Sequence, residues 1–253
     1  MSTGAMSQHA EPTPVPEMLS PWAWLDPPSV SDPVARRRFT IDDLDRMDEG
    51  GVLGQVGRVE LLDGILFPVD GDGPLRFTRE QYHRMAEVGV FRPGERVELI
   101  AGVIYAMSPI GCRHSGTLEF FADKLRDALA GRALVRTQNP IELPDASEPE
   151  PDVAVVRRRA DYYRREHPRA GDVLFVVEFM DSSAPYDRGV KLPDYAQAGV
   201  PEAWFVDLRR ERFEVHRKPV DGVYTESFVR LKHETISPEA FPDIVLEIAE
   251  ILS

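Results

Sequence analysis

Two acidic residues stand at the ends of short apolar segments, where carboxylates can do metal chemistry. Asp152 begins the segment 152–156, and Glu178 lies near the end of the segment 172–180, whose interior has the Val, Leu and Phe of a buried strand. If the two strands are neighbours in one sheet, both carboxylates can converge on one cation, and paired carboxylate oxygens suit Mg²⁺. The alternative is that each acid is solvated at an exposed strand end, because a buried and unpaired carboxylate is costly.

A lysine follows these acids at helical spacing. Asp187, Lys191 and Tyr195 are four residues apart and therefore share one face of a predicted helix over 187–198. Lys191 is either the partner of Asp187 in a surface ion pair or an ammonium placed over the acids. In the second case it can hold a water or stabilise developing negative charge. Pro193 falls within the first turns of this helix or splits it.

Two further polar residues, Cys112 and His114, lie at the start of an upstream predicted helix over 112–130. Cys112 is the only cysteine, which excludes an internal disulfide and a cysteine-based zinc site, and we interpret it as an inert small residue. We interpret His114 as a surface or supporting histidine. No second histidine follows it at the spacing of about three to five residues that a zinc motif needs.

The elements upstream of this region repeat one pattern. Residues 38–67 and 76–105 align without gaps, and each copy predicts a short helix, a turn and a strand. Thr40 and Thr78 precede the two helices as N-caps. Only the second copy runs directly into the rest of the predicted domain. The second copy is therefore the predicted working unit.

The remainder of the chain alternates between strand-like and helix-like segments. The helix over 112–130 is predicted to turn Leu118, Phe121, Leu125 and Leu129 inward. The predicted strands cover residues 96–107, 133–143, 152–156, 172–179, 203–208, 212–217 and 223–230. Strands and helices interleave first and antiparallel strands dominate later, so the fold class is a mixed α/β domain with a central sheet.

Composition limits the functional class. The chain has 253 residues and a formal net charge of −13, which opposes non-specific DNA binding unless a local basic patch exists. The run Arg157, Arg158, Arg159, Arg164 and Arg165 is either such a patch or a solvated helix face. No run approaches the roughly 20 apolar residues of a membrane span, and the N-terminus lacks a secretory pattern, so we expect a cytoplasmic protein.

The combined motifs resemble a known family. The stretches RFTREQYHRM, RVELIAGVIYAMSP, EPDVAVV, VVEFMDSS and DRGVKLPDYAQAGVPEAWFVD, with the helix start at His114, are similar to the Uma-type family of “putative restriction endonucleases” in the PD-(D/E)XK nuclease superfamily. The resemblance covers roughly residues 76 to 250. It implies a restriction-endonuclease-like core, with a central mixed sheet flanked by helices and a site at one sheet edge.

The resemblance also implies roles for individual residues. Asp152 and Glu178 match the metal ligands, and Glu98 looks like the early acid that completes the site. The superfamily lysine normally stands where this chain has Met180, and Lys191 resembles a lysine that has migrated to the following helix. The chain departs from the family pattern at two positions, where Ala101 replaces a frequent acid and Ala203 replaces a frequent aromatic residue. The upstream copy of the repeat keeps Asp63–Gly64 at the first of these positions and carries Glu60 as the equivalent of Glu98.

These observations define the expected organisation and activity. We expect a flexible tail over 1–34, a duplicated helix–strand extension over 35–75 and a nuclease-like domain over 76–253. The expected reaction is hydrolysis of DNA phosphodiester bonds with Mg²⁺ or Mn²⁺, and a homodimer would allow two sites to cut two strands. The alternatives are a non-catalytic binding or regulatory protein on a nuclease scaffold, and an antitoxin or stress-associated partner that docks through the duplicated segment.

Overall fold

A computed structural model describes residues 35–107 and 109–253. The predicted flexible tail over 1–34 lies outside the described residues. The first part of the described chain contains two short helices and five short strands. They are β1 (Ala35–Arg36), α1 (Ile41–Glu49), β2 (Val59–Leu62), β3 (Ile65–Pro68), α2 (Arg79–Glu87), β4 (Val97–Ile100) and β5 (Val103–Ala106).

The second part contains the large sheet and the helices that cover it. Its elements are α3 (Cys112–Ala128), β6 (Ala133–Thr137), β7 (Val153–Arg157), β8 (Val173–Met180), α4 (Ala184–Tyr186), α5 (Leu192–Gln197), β9 (Glu202–Asp207), β10 (Arg212–Val220), β11 (Val223–Leu231), β12 (Thr235–Ile236), β13 (Leu246–Glu247) and α6 (Ile248–Ile251). A 3₁₀ turn covers Ala170–Asp172, and a π-helical turn covers Asp187–Lys191.

Six strands form the central sheet in the order β11-β10-β9-β8-β7-β6. Strands β8 and β9 are parallel, and the other neighbours are antiparallel. The predicted central mixed sheet flanked by helices is therefore confirmed. Helix α3 packs on one face, where the predicted inward residues Leu118, Phe121, Leu125 and Leu129 are all buried. Helix α5 packs on the other face, where Tyr195 is fully buried.

The two upstream helices each begin and pack as the sequence pattern predicts. Thr40 and Thr78 both accept a hydrogen bond from the main chain three residues later, and both helices have a complete capping box. Each helix is followed by a two-stranded hairpin, β2–β3 in the first unit (residues 40–68) and β4–β5 in the second unit (residues 78–106). Met47 and Met85 are fully buried in one core cluster shared by the two units.

Several predicted elements differ from the structure. The single strand expected over 96–107 is a hairpin, because Ala101 and Gly102 both have positive φ and reverse the chain there. The strand expected over 133–143 ends at Thr137. A register shift opposite Val155/Val156 displaces Leu174, which packs on the α3 face rather than sharing a face with Glu178.

The arginine-rich run is neither a helix face nor close to the predicted site. Residues 158–169 form turns and extended chain after β7, and Asp152 lies before the other end of that strand. Arg159 pairs with Asp161 and Glu166, so part of this positive charge is already neutralised. Among the described residues, no helix is long and apolar enough to cross a membrane.

Candidate active site

Two neighbouring strands bring the predicted acids together. Strands β7 and β8 are antiparallel neighbours, and Val153 pairs with Val177, so Asp152 and Glu178 adjoin at one end of the pair. The main-chain N–H of Asp152 donates to Oε2 of Glu178 over 3.3 Å. The Asp152 carboxylate in turn accepts from the main-chain N–H of Phe179 over 2.9 Å. The condition for convergence of the two acids, that their strands are neighbours, is met.

Lys191 lies in the interior beside the acids. Its side chain is 2% exposed, and its Nζ lies 3.1 Å from Oε1 of Glu178 and 3.3 Å from Oε2 of Glu98. The ammonium also donates to the carbonyl of Glu150 over 3.3 Å. These contacts exclude the alternative of a surface pair with Asp187, which is itself buried. The arrangement gives Lys191 two carboxylate partners away from water.

A wide helical turn places Lys191 there. The turn from Asp187 to Lys191 is π-helical, so the N–H of Leu192 bonds back to the carbonyl of Asp187. A π turn is a rare local widening that is frequent at functional sites. Pro193 follows as the second residue of α5, where its missing N–H is tolerated, and the helical run continues through it.

Glu98 joins the cluster from the second hairpin. It is fully buried in β4, where its Oε1 accepts from the hydroxyl of Tyr186 over 2.9 Å. Its Oε2 accepts from the main-chain N–H of Glu150 over 3.1 Å. Its upstream counterpart Glu60 is exposed on β2. The structure therefore places Glu98, rather than Glu60, beside Lys191.

Tyr195 and His114 support one acid each. The Tyr195 hydroxyl donates to Oε1 of Glu178 over 2.5 Å. Nε2 of His114 lies 2.9 Å from Oδ2 of Asp152, and His114 begins α3 on the opposite face of the sheet from Tyr195. The two acids are thus held from different helices, although they adjoin along the strands.

Burial and mutual charge control the protonation of the cluster. Burial raises the pKa of Glu178 to about 8 despite the nearby Lys191 ammonium, and burial raises the pKa of Asp187 to about 7. Burial also raises the pKa of Asp152, but the hydrogen bond and charge of His114 outweigh it and bring that pKa below its ordinary value. Burial opposes the charged form of Lys191, yet the surrounding carboxylates, Glu178 first, raise its pKa well above the ordinary value. Glu178 and Asp187 therefore hold a proton to a higher pH than ordinary carboxyl groups do.

The carboxylate oxygens of the cluster are suitable ligands for a hard divalent cation, although they already accept hydrogen bonds from protein groups. Asp152, Glu178 and Glu98 supply carboxylate oxygens, the ligands that Mg²⁺ and Mn²⁺ favour. Each acid already accepts hydrogen bonds from protein groups through both of its oxygens. Within residues 35–107 and 109–253, no three His, Cys, Asp or Glu side chains stand ready to hold a metal. A bound cation would thus have to displace some of these internal donors.

A small cleft leads from solvent to this cluster. Asp152, His114 and Arg96 line it. The remaining lining residues come from the segment before α3 and the loop after β8: Met107, Pro109, Ile110, Gly111, Asp181, Ser182 and Ser183. Asp152 is the acid of the cluster that a ligand in this cleft would meet first.

Sequence patterns missed four residues that complete the arrangement. Tyr186 and the main chain of Glu150 hold Glu98 and Lys191, and Gln138 donates to Oδ1 of Asp152 over 3.4 Å. Asp187 was considered only as a surface partner, whereas it is buried and accepts from the hydroxyl of Ser183 over 2.5 Å. The usable signal was weak: Glu150 is the first residue of the EPDVAVV motif, and Tyr186 directly precedes Asp187.

Comparisons with known proteins agree with this architecture. A family model described as “putative restriction endonuclease” matches residues 79–249, more than half of the chain. A solved structure from Anabaena variabilis ATCC 29413, described as a putative nuclease belonging to DUF820, is similar with a TM-score of 0.56 and 15% identity, covering 70% of this chain and 97% of that one. That similarity concerns the fold alone. No curated protein matches the chain. Because the family model spans most of the described domain, the chain belongs to the Uma2 family of “putative restriction endonucleases”.

Proposed function

We propose that this protein is a metal-dependent endonuclease that hydrolyses DNA phosphodiester bonds. The observation that carries the proposal is the buried Lys191 ammonium, which contacts Glu178 and Glu98 beside the Asp152 end of the neighbouring strand. Acids and an ammonium in one cluster, with Asp152 lining a cleft, are the groups that phosphoryl chemistry requires. Family membership and fold support the same class of reaction.

The proposed roles follow from the contacts. Asp152 and Glu178, with Glu98 as a third acid, would hold Mg²⁺ or Mn²⁺, which supplies a lowered water pKa and neutralises charge on the phosphate. Lys191 would orient a water or stabilise negative charge as it develops. The hydroxyl of Tyr195 fixes the orientation of Glu178, and His114 does the same for Asp152. These two supporting contacts preorganise the acids before substrate arrives.

DNA must approach a chain of net charge −13, so local arginines are required. Arg96 lines the cleft, Arg113 adjoins His114, and Arg209 bonds to Asp181 on the cleft wall. We propose that these three arginines contact the DNA backbone, in place of the distant run after β7. A homodimer that presents two such clefts would serve cleavage of both strands.

The direct test is cleavage of supercoiled plasmid DNA with Mg²⁺ or Mn²⁺. Asp152→Asn and Glu178→Gln should each lower the rate by at least about 10²-fold, because each removes one charge from the proposed ligand set. Glu148→Gln is the matched control, since Glu148 is a buried acid that pairs with His83 outside the cluster. Unchanged cleavage by either site variant, with a native melting profile, would refute the assignment.

A second candidate function is a non-catalytic binding or regulatory protein built on the nuclease fold. The observation that favours it is that all three acids are already engaged by internal donors, with no ready three-residue metal group in the described part of the chain. Calorimetry separates the two candidates. A scaffold that has lost its chemistry gives no Mg²⁺ or Mn²⁺ binding that depends on Asp152, whereas the nuclease does.

A further inference from the structure

The two helix–hairpin units have matching internal geometry. Positions 38 residues apart correspond, as Phe39 does to Phe77. Phe39 N–H donates to the carbonyl of Gly64 and Phe77 N–H to that of Gly102, both over 2.8 Å. Both hairpin turns have positive φ at their two central residues. Equivalent residues of the two units therefore occupy equivalent local positions.

The units also exchange equivalent bonds with each other. Arg37 N–H, before α1, donates to the carbonyl of Ile104 in the second hairpin over 2.8 Å. Leu75 N–H, before α2, donates to the carbonyl of Leu66 in the first hairpin over 2.7 Å. These two bonds are related by the same offset of 38 residues in opposite directions. The pair of units is thus locally two-fold symmetric, and each one predicts the surroundings of the other.

In the second unit, a tight turn over residues 143–147 and the residue after it cover the outer edge of β4. The main-chain N–H of Glu148 donates to the carbonyl of Leu99 over 2.6 Å. The N–H of Ala101 donates to the hydroxyl of Ser147 over 2.7 Å. Glu148, just after the turn, therefore pairs with Leu99 through a single antiparallel bridge, and Ser147 caps the end of the strand.

Helix α2 and the outer edge of β4 together form the surface that holds residues 143–148, and we call this surface the seat. Arg79 donates to the carbonyl of Leu143 over 2.6 Å, and Nε2 of His83 lies 2.8 Å from Oε2 of Glu148. Ile100, at the end of β4, is only 3% exposed. The seat thus holds a tight turn by main-chain bonds and by the charge opposite His83.

The equivalent seat on the first unit is open. The carbonyl of Leu61 and the N–H of Asp63 correspond to those of Leu99 and Ala101, yet neither has a hydrogen-bond partner among the residues that the structure describes. Leu62, the counterpart of the buried Ile100, is 54% exposed. An unpaired strand edge beside an exposed apolar side chain is a template for another strand.

The charge of the open seat is the reverse of the filled one. Asp45 stands at the position of His83, and both residues are exposed. Ile41, 69% exposed, stands at the position of Arg79. A peptide with an acid opposite Asp45 would be repelled, whereas a basic residue there would form the inverted counterpart of the His83–Glu148 pair.

We propose that the outer edge of β2 is a docking site for a tight turn of a partner protein, whose outgoing residues pair with this edge and place a lysine or arginine against Asp45. The occupied second unit supplies the geometry of this complex, and the exposed Ile41 and Leu62 supply its apolar contacts. The site is separate from the acid cluster, so it gives the protein a protein-binding surface in addition to its proposed activity.

The test uses two peptides that differ in one charge. Leu-Pro-Asp-Ala-Ser-Glu-Pro reproduces residues 143–149, and Leu-Pro-Asp-Ala-Ser-Lys-Pro carries lysine at the position of Glu148. Titrated into the full-length protein and followed by amide NMR, the lysine peptide should bind about two- to fivefold more tightly, the range of an exposed ion pair. The shifts should centre on Leu61, Asp63 and Gly64.

Variants of α1 make the prediction specific. Asp45→His should reverse the preference in favour of the glutamate peptide, whereas Asp48→His, an exposed acid on the same helix, should leave it unchanged. N-methylation of the peptide lysine removes the N–H that meets Leu61 and should abolish binding. No binding at millimolar peptide, an unchanged preference in Asp45→His, or shifts away from β2 would each overturn the proposal.

Two other occupants give different results. A protein that is dimeric by light scattering and becomes monomeric with Leu62→Lys would assign the edge to a second copy of the chain. Amides of β2 that gain rapid hydrogen exchange only on deletion of residues 1–34 would assign it to the chain's own N-terminal segment. Either result would overturn docking of a partner protein.

Discussion

The sequence Arg-Val-Glu-Leu occurs in both helix–hairpin units, yet the two glutamates have opposite environments. Glu60 on β2 is exposed, whereas Glu98 on β4 is fully buried and contacts Lys191. The helices, caps and hairpin turns of the two units are alike. The difference comes from what lies against each hairpin: the central domain covers the second, and no described segment covers the edge of the first.

The comparison teaches that a local motif does not fix the role of its acid. The hairpin presents a glutamate in either unit, and only long-range packing converts it into a member of a charged cluster. Burial without a counter-ion would be costly, so Lys191 is the condition for placing Glu98 in the interior. Four predictions test this account, beginning with the largest expected effect.

Removing the Lys191 ammonium should destabilise the buried cluster around Glu98. Lys191→Met leaves Glu98 and Glu178 facing each other in the interior without an ammonium, which should cost about 3–5 kcal/mol. Lys124→Met is the control, because Lys124 makes an exposed pair with Glu250 and its loss should change stability by less than about 1 kcal/mol. Chemical denaturation measures both. Equal, small losses would mean that the cluster does not depend on its lysine.

The two glutamates should also differ in activity. Glu98→Gln should lower the rate of DNA cleavage by about 10²-fold, because it removes a charge beside Lys191. Glu60→Gln should leave the rate within about twofold, because Glu60 lies exposed on the other hairpin. Rates measured at saturating Mg²⁺ make the comparison. A large loss with Glu60→Gln would show that the first hairpin contributes to the site after all.

The pH dependence of stability should have opposite signs in the two regions. Burial raises the pKa of Glu178 from its ordinary 4.5 to about 8, so the folded protein keeps a proton that the unfolded chain has lost. In EDTA, stability should therefore fall as the pH rises through this window. In the first region, burial raises the pKa of Asp43, but Arg37 outweighs it and lowers that pKa. The contribution of Asp43 should instead be lost as the pH falls below its ordinary pKa.

Two substitutions separate these contributions. Glu178→Gln should weaken the dependence of the melting temperature on pH between about pH 5 and 8. Asp43→Asn should weaken that dependence only at more acidic pH. Thermal melts of the metal-free protein from acidic to alkaline pH measure both. Stability that rises with pH in the neutral range, with Glu178 intact, would contradict the retained proton.

The sequence was informative where the chemistry is local. The capping residues Thr40 and Thr78, the inward positions of α3 and the strands that carry Asp152 and Glu178 follow from periodicity and side-chain type. The hairpin turn in the strand expected over 96–107 was missed because Ala101 is a poor residue for positive φ. In the first unit, Asp63–Gly64 is a clear turn signal at the same position, yet the single strand predicted for that copy is likewise a hairpin.

The candidate site was less accessible to sequence reasoning, because its contacts join distant segments. A helical wheel places Lys191 on a face with Asp187 but does not predict the π turn or its burial against Glu98. The sequence likewise gave no sign that Asp152 is held from α3 while Glu178 is held from α5. The assigned roles of Asp152, Glu178, Glu98 and Lys191 stay predictions, as do the domain boundaries at 34 and 75.

The smallest predicted effect concerns the two hairpin turns themselves. Asp63 and Ala101 occupy equivalent positions with φ of 46° and 47°, a conformation that asparagine tolerates and alanine does not favour. Ala101→Asn should therefore stabilise the protein by about 0.5–1 kcal/mol, because it supplies the Asn-Gly turn that positive φ at both central residues favours. Asp63→Asn is the control and should change stability by less than about 0.5 kcal/mol. Urea denaturation resolves the difference, and destabilisation by Ala101→Asn would mean that packing against the central domain, rather than backbone strain, governs this turn.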